Sequence, residues 1–128
     1  MSMLDIHRLY CQRFLDQFEA AQENLLNLNQ SESAYEFELL FDCFKSECQK
    51  NMNRLATNKE NKEQYRIFKQ LNLICKHINK LIPPLEYLKK DNYSSEQVIN
   101  YFEEQHRFKK VLHNHLQDLD NFLISTYN

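Results

Sequence analysis

The sequence of 128 residues contains no glycine and no tryptophan, and it has only two prolines. Glycine is the usual residue where a backbone takes a positive φ, as in tight hairpin turns and phosphate-binding loops. Its absence argues against a hairpin-rich β fold and against a glycine-rich nucleotide-binding loop. Asparagine is the remaining common residue that tolerates the left-handed conformation, so we expect Asn29, Asn58 and Asn92 to serve as caps at helix ends.

Long apolar runs are missing as well. No stretch approaches the roughly 18 apolar residues of a membrane-spanning helix, and the first residues lack the basic and apolar regions of a signal peptide. The four cysteines form no CxxC pair, and three of them fall on apolar helical positions, which favours reduced thiols over disulfides. We therefore expect a cytoplasmic protein, or one delivered from there into a host cell, with no membrane partner.

The sequence does contain four segments with helical periodicity. In each segment apolar side chains recur every three or four residues, which is the spacing of one buried helix face. The predicted helices cover about residues 3–28, 34–56, 61–82 and 95–125. Nine apolar residues on these faces are expected to be largely buried: Phe14, Phe18, Phe41, Phe44, Phe68, Leu71, Ile78, Leu112 and Leu116.

Capping patterns and prolines predict where these helices begin and end. Ser33 with Glu36, and Ser94 with Gln97, have the spacing of capping boxes, in which two side chains satisfy each other's exposed amides. Pro83-Pro84 ends the third helix, because proline disfavours helical geometry at the residue before it. Pro84 then starts a short further turn at 85–88.

Short connections between long helices place consecutive helices side by side and antiparallel. The sequence therefore predicts a single all-α domain over 1–128, folded as an antiparallel up-down-up-down four-helix bundle. The fourth predicted helix is about 45 Å long at 1.5 Å per residue and extends beyond its neighbours. Apolar residues near its end, such as Phe122 and Leu123, then favour a homodimer.

The net charge of −2 conceals a segregated distribution of charge. Residues 1–48 hold three basic and nine acidic residues, residues 49–90 hold ten basic and three acidic, and residues 91–128 hold three basic and six acidic. On the third helix the basic side chains fall within about 80° of one another, opposite the apolar face. Leu73 lies in the middle of this stripe, whose members are Lys62, Arg66, Lys69, Leu73, Lys76 and Lys80.

Two interpretations of the stripe remain open. Charged stripes commonly form the solvated outer face of a helix. Alternatively, the stripe binds an acidic protein partner, with Leu73 as an apolar anchor among the cations. Nucleic acid is not expected as a partner, because a pI near 6.2 and few arginines do not give the usual electrostatic footprint.

Metal-binding and catalytic patterns are weak. Glu103-x-x-His106 has the helical spacing used in di-iron bundles, but the second copy that such a site needs is missing, and a surface histidine is the favoured interpretation. His113 and His115 project about 200° apart on a helix, so the two cannot bind one ion.

The remaining candidate side chains are also interpreted structurally. His7 lies on the first helix, near one end of the bundle, and is expected to be a boundary histidine with its hydrogen bonds satisfied. Cys43 lies off the apolar columns, without the histidine base and oxyanion hole that a nucleophilic cysteine needs. It is therefore expected to be an inert, partly exposed thiol, and no catalytic, cofactor or metal site is predicted.

The glycine-free composition, rich in asparagine and lysine, resembles that of small helical proteins from AT-rich bacteria, which include secretion chaperones and inhibitors of effector enzymes. We expect a non-enzymatic helical protein that binds and modulates a partner protein, as an inhibitor or adaptor of a bacterial effector enzyme. One alternative is a secretion chaperone that shields an apolar client segment. The other is a metal-binding helical-bundle enzyme that uses Glu103 and His106.

Overall fold

A computed structural model describes residues 2–27, 30–56, 61–90 and 93–127. They form the helices α1 (Met3–Asn27), α2 (Gln30–Leu55), α3 (Lys62–Leu81), α4 (Leu85–Lys89) and α5 (Ser95–Tyr127), and this part of the chain contains no strand. The predicted all-α fold with four long helices is confirmed. Among the described residues, no helix has both the length and the apolar character that crossing a membrane requires.

Helices α1 and α2 pack antiparallel through phenylalanines. Phe14 stacks on Phe44 with ring centroids 4.1 Å apart, and Phe18 meets Phe37 at 5.6 Å. A later residue on α1 therefore meets an earlier residue on α2. Such aromatic contacts stabilise a core beyond the area that they bury.

Helix α5 is antiparallel to both α1 and α3. The pairs that establish this are Arg8 with Asp120 and Glu19 with Lys109 on the α1 side, and Arg66 with Asp118 and Leu81 with Tyr101 on the α3 side. Helix α2 packs against both α1 and α3. The four long helices thus form a square in which α1 and α3 lie on one diagonal.

The core largely follows the predicted apolar faces. Eight of the nine residues expected inside are buried, and they belong to one continuous cluster. The exception is Phe68, which is only partly buried and stacks on Tyr65 with ring centroids 6.3 Å apart. Phe68 therefore lies at the edge of the apolar face of α3.

One predicted capping box is confirmed and the other is wrong. Ser94 N donates to Gln97 Oε1 at 2.7 Å, and Gln97 N donates to Ser94 Oγ at 3.2 Å, directly before α5. Helix α2 instead begins at Gln30, so Ser33 lies inside the helix and is only 2% exposed. Because Ser33 is small, it can face the helix interface next to Ala34, and packing extends the helix past the predicted cap.

The ends of α3 follow the sequence closely. Asn61 caps its N-terminus, since its side chain accepts hydrogen bonds from the amides of Glu63 and Gln64 at 3.0 and 3.2 Å. At the other end α3 stops at Leu81, and Pro84 is the N-cap of α4, as predicted. The caps predicted at Asn29, Asn58 and Asn92 lie outside the described residues. Helix α4 packs on α2.

Candidate functional site

The structure places the predicted basic stripe on the surface. All six of its members, Lys62, Arg66, Lys69, Leu73, Lys76 and Lys80, are exposed, and we refer to them as the α3 basic face. Leu73 is 45% exposed, although it is an apolar residue surrounded by cations. The opposite side of α3 contributes six buried residues to the core, so this face is free of the bundle's own packing.

Most of the α3 basic face is not neutralised by the described residues. Arg66 pairs with Asp118 on α5 at 3.3 Å, and Lys69 lies over the ring of Tyr65 at 4.7 Å. In the described part of the chain, no carboxylate lies within 4.0 Å of the amino groups of Lys62, Lys69, Lys76 or Lys80. Elsewhere, Lys89 pairs with Glu38, and Lys109 pairs with Glu19.

A pocket lies at the α4 end of the α3 basic face. Its volume is about 250 Å³, and it lies between the end of α3, helix α4 and the start of α5. Lys80 lines this pocket together with the rings of Tyr87, Tyr93 and Tyr101. The sequence did not predict it, because its lining residues come from α3, α4 and α5 and meet only in the folded chain.

A second apolar depression lies between α1 and α2. Tyr10, Phe14, Leu39, Leu40 and Cys43 line it, with a volume of about 310 Å³. Leu39 is 65% exposed. Cys43 is an exposed free thiol, as predicted.

A group of polar side chains lies inside the bundle, and the sequence analysis did not predict it. His7, Cys11 and His115 are fully buried, and Asn51 is 2% exposed. We refer to these four residues as the buried polar layer. His7 Nε2 lies 2.9 Å from His115 Nε2 and 3.4 Å from Cys11 Sγ. One potential ligand atom from each of His7, Cys11 and His115 falls within 4.8 Å of the other two.

The far side of the His115 ring is fixed by a chain of hydrogen bonds to the surface. Gln70 Nε2 donates to the Asp118 carboxylate, so Gln70 Oε1 is the atom that faces His115 Nδ1, at 2.9 Å. His115 Nδ1 therefore carries the proton that Gln70 accepts. His115 Nε2 is therefore unprotonated, and its lone pair points into the buried polar layer.

The far side of the His7 ring meets Asn51 and Glu47 on α2. Asn51 Nδ2 lies 3.3 Å from His7 Nδ1 and donates to both the backbone and the carboxylate oxygen of Glu47, each at 2.9 Å. The Glu47 carboxylate is 3.7 Å from His7 Nδ1. Since His115 Nε2 can only accept, His7 Nε2 carries the hydrogen of the bond between the two rings.

Burial keeps this layer uncharged. Burial, and to a smaller extent the nearby His7 ring, lowers the pKa of His115 to about 3. Burial also lowers the pKa of His7, although Glu47 opposes that effect, and burial raises the pKa of the Cys11 thiol far above its usual value. All three cases follow from the cost of placing a charge in an apolar interior.

The burial of the histidines agrees with the sequence-based predictions except at His7. His113 is exposed and His115 buried, as their angular separation predicts, and Glu103 and His106 are both exposed. The prediction that His7 is a boundary histidine is wrong, because its ring is fully enclosed by α1, α2 and α5. The spacing of His7 and Cys11, four residues apart on one helix face, was a signal that could have identified the pair.

Comparison with known proteins gives no further guide to function: no family model, no curated protein and no solved structure matches this chain.

Proposed function

We propose that this protein is a non-enzymatic helical module that binds a partner protein and modulates it, as an inhibitor or adaptor of a bacterial effector enzyme does. The binding surface is the α3 basic face, and the partner presents an acidic surface with an apolar recess. One observation carries the proposal: Leu73 is exposed at the centre of a face whose lysines lack carboxylate partners in the described part of the chain.

The chemistry of this face matches a known mode of protein recognition. Interface hot spots are apolar or aromatic anchors surrounded by polar groups that exclude water. Leu73 would be the anchor, while Lys69 and Lys76 lie one helical turn to either side of it. The pocket beside Lys80 adds tyrosines, which are enriched at protein interfaces. Beside the α3 basic face, the partner would therefore also contact the aromatic side chains of this pocket.

The test begins with affinity capture from the native cell, using the wild type and the variant Lys69→Glu/Leu73→Ala/Lys76→Glu as paired baits. A specific partner is retained by the wild type and lost from the variant. The matched control, Lys50→Glu/Leu39→Ala/Lys110→Glu, makes the same changes at exposed positions on α2 and α5. Equal capture by wild type and the α3 variant contradicts the proposal.

Binding kinetics with the purified partner then separate the roles of charge and anchor. Rim charges mainly accelerate association, while a buried apolar anchor mainly slows dissociation. Lys69→Glu/Lys76→Glu should therefore lower the association rate and its dependence on salt. Leu73→Ala should instead raise the dissociation rate, by about tenfold for an anchor that contributes roughly 1.4 kcal/mol.

The depression between α1 and α2 favours the second candidate function, a chaperone that shields an apolar client segment. Such a segment would contact Leu39, Leu40 and Tyr10 rather than the α3 basic face. The same variants distinguish the two functions. Loss of binding in the control that contains Leu39→Ala, with binding retained in the α3 variant, supports the chaperone.

The alternative of an enzyme whose metal is held by Glu103 and His106 receives no such support. Both residues are exposed. Among the described residues, the potential metal ligands that lie close together are His7, Cys11 and His115, and neither Glu103 nor His106 belongs to that group.

A further inference from the structure

We propose that His7, Cys11 and His115 form a buried zinc site that joins α1 to α5. The three side chains supply two imidazole nitrogens and one thiolate, a mixed donor set that suits Zn²⁺. This site is separate from the α3 basic face and does not depend on the protein-binding proposal.

Two of the three separations between ligand atoms are close to those around a tetrahedral zinc ion, and the third, between Cys11 Sγ and the His115 ring nitrogen, is within 4.8 Å. With Zn–N bonds of about 2.05 Å and a Zn–S bond of about 2.3 Å, two nitrogen ligands lie about 3.3 Å apart, and nitrogen and sulfur about 3.6 Å apart. The corresponding separations here are 2.9 Å between the two Nε2 atoms and 3.4 Å between His7 Nε2 and Cys11 Sγ. Small rotations of the side chains would open both to the required values.

The groups behind the ligands have the arrangement that supports metal-binding histidines. A ligating imidazole usually donates its other N–H to a carboxylate, a carbonyl or another oxygen, which fixes the ring and its tautomer. His115 already does so toward Gln70, which is held in turn by Asp118. The Glu47 carboxylate lies behind His7 at the longer distance of 3.7 Å from Nδ1, and Asn51 Nδ2 lies nearer, at 3.3 Å.

Protons and charges balance when Zn²⁺ binds. Cys11 releases its thiol proton to solvent and becomes the anionic ligand. The His7 proton leaves Nε2, whose lone pair then binds the metal, and Nδ1 takes up a proton that faces Glu47. One proton is released overall. The charge of Zn²⁺ is then offset by the Cys11 thiolate and by the Glu47 carboxylate behind His7, so no uncompensated charge remains in the interior.

The sequence separation of the ligands explains what the site would do for the fold. His7 and Cys11 lie on the first helix and His115 on the last, 108 residues after His7. An ion that binds only the folded chain stabilises it. The site would therefore tie the first and last helices together.

The first test is titration of the chelator-treated, reduced protein with Zn²⁺, in competition with a chromophoric chelator. We expect one tightly bound ion per chain and a higher melting temperature. Replacement by Co²⁺ should give a thiolate-to-cobalt charge-transfer band and the intense visible bands of tetrahedral coordination. A wild-type chain that yields neither saturable binding nor these bands overturns the proposal, as does binding of Cu(I) without Zn²⁺.

Variants then assign the ligands. Cys11→Ala and His115→Gln should each weaken zinc affinity by about 100-fold or more, while Gln70→Ala, which removes only support for His115, should weaken it by about 10- to 100-fold. Matched controls are Cys48→Ala, another fully buried cysteine, and His113→Gln, an exposed histidine on the same helix. Circular dichroism confirms that each variant is folded.

The control variants also define which results would contradict the zinc site. If Cys11→Ala binds zinc as tightly as Cys48→Ala does, the thiolate is not a ligand and the proposed site is wrong. Because Gln70 is only partly buried, its variant keeps the test valid if substitutions inside the buried polar layer prevent folding. Unchanged zinc affinity in folded Gln70→Ala also contradicts the proposed site.

Discussion

His113 and His115 are two residues apart on α5, yet one ring is exposed and the other is fully buried. The helix turns about 200° between them, so one side chain faces solvent when the other faces α1 and α3. Burial affects the protonation of His115. His115 must stay neutral in the folded protein, because burial lowers its pKa to about 3.

The burial of His115 predicts that the metal-free protein loses stability on mild acidification. The unfolded chain protonates His115 near its ordinary pKa of 6.5, while the folded chain protonates it only near 3. The unfolded state therefore binds more protons between these values, and stability falls as the pH falls through 6.5. From pH 7 to pH 5 the loss from His115 alone should be about 2 kcal/mol.

Urea unfolding at several pH values, in the presence of a chelator, measures this loss. His115→Gln should reduce the slope between pH 7 and 5 by the contribution of His115 and leave the part that the buried His7 contributes, even if the variant is less stable at every pH. His113→Gln is the matched control and should keep the wild-type slope. A His115→Gln variant with the full wild-type slope would show that the buried histidine is not the group responsible.

At the scale of the helices, local patterns determined some ends and packing determined others. Ser94 and Gln97 precede a helix that starts at an exposed site, so nothing competes with their reciprocal hydrogen bonds. Ser33 and Glu36 have similar spacing, but Ser33 faces the core. The free energy of packing at that position exceeds the contribution of a cap, and α2 extends to Gln30.

This contrast predicts different effects for two equivalent substitutions. Ser94→Ala should lower the free energy of unfolding by about 1 kcal/mol, since it removes the cap of α5. Ser33→Ala should not lower it, because alanine has the higher helix propensity inside a helix and no cap is lost. Chemical denaturation of both variants beside the wild type measures the difference. Equal losses in the two variants would contradict the assigned start of α2.

At the scale of the whole molecule, one end of the bundle carries exposed apolar side chains. Phe122 and Leu123, which led us to expect a homodimer, are partly buried against the core of the same chain. Ile124 is 59% exposed on the last part of α5, and Ile6 is 54% exposed near the start of α1. Because α1 and α5 are antiparallel, both residues lie toward the same end.

We predict that this end mediates formation of a homodimer. Sedimentation at micromolar concentration should give twice the chain mass of 15.6 kDa. Ile124→Asp should shift the protein to the monomer, because a charge in an apolar contact costs several kcal/mol. Ile99→Asp, at an equally exposed position near the other end of α5, should leave the dimer intact. A wild-type chain that sediments at the monomer mass contradicts the prediction.

The sequence by itself determined the helices, most of the core and the exposed α3 basic face. Each of these depends on side chains a few residues apart, whose relative positions are fixed by the 3.6-residue turn. The absence of glycine and the positions of the two prolines reinforced that pattern. Leu73 could be placed outside the core because its angular position on α3 is set by the same turn.

Only the tertiary structure decided where the elements meet. The buried polar layer requires His115 of α5 to reach His7 of α1 at 2.9 Å, a contact across 108 residues. The axial register of packed helices fixes that contact, and it follows from the whole core rather than from any local pattern. The pocket beside Lys80 and the extension of α2 past Ser33 depend on the same packing. Local periodicity determines which face of its helix each side chain lies on. Which side chain of another helix it contacts is determined by the packing of the whole bundle.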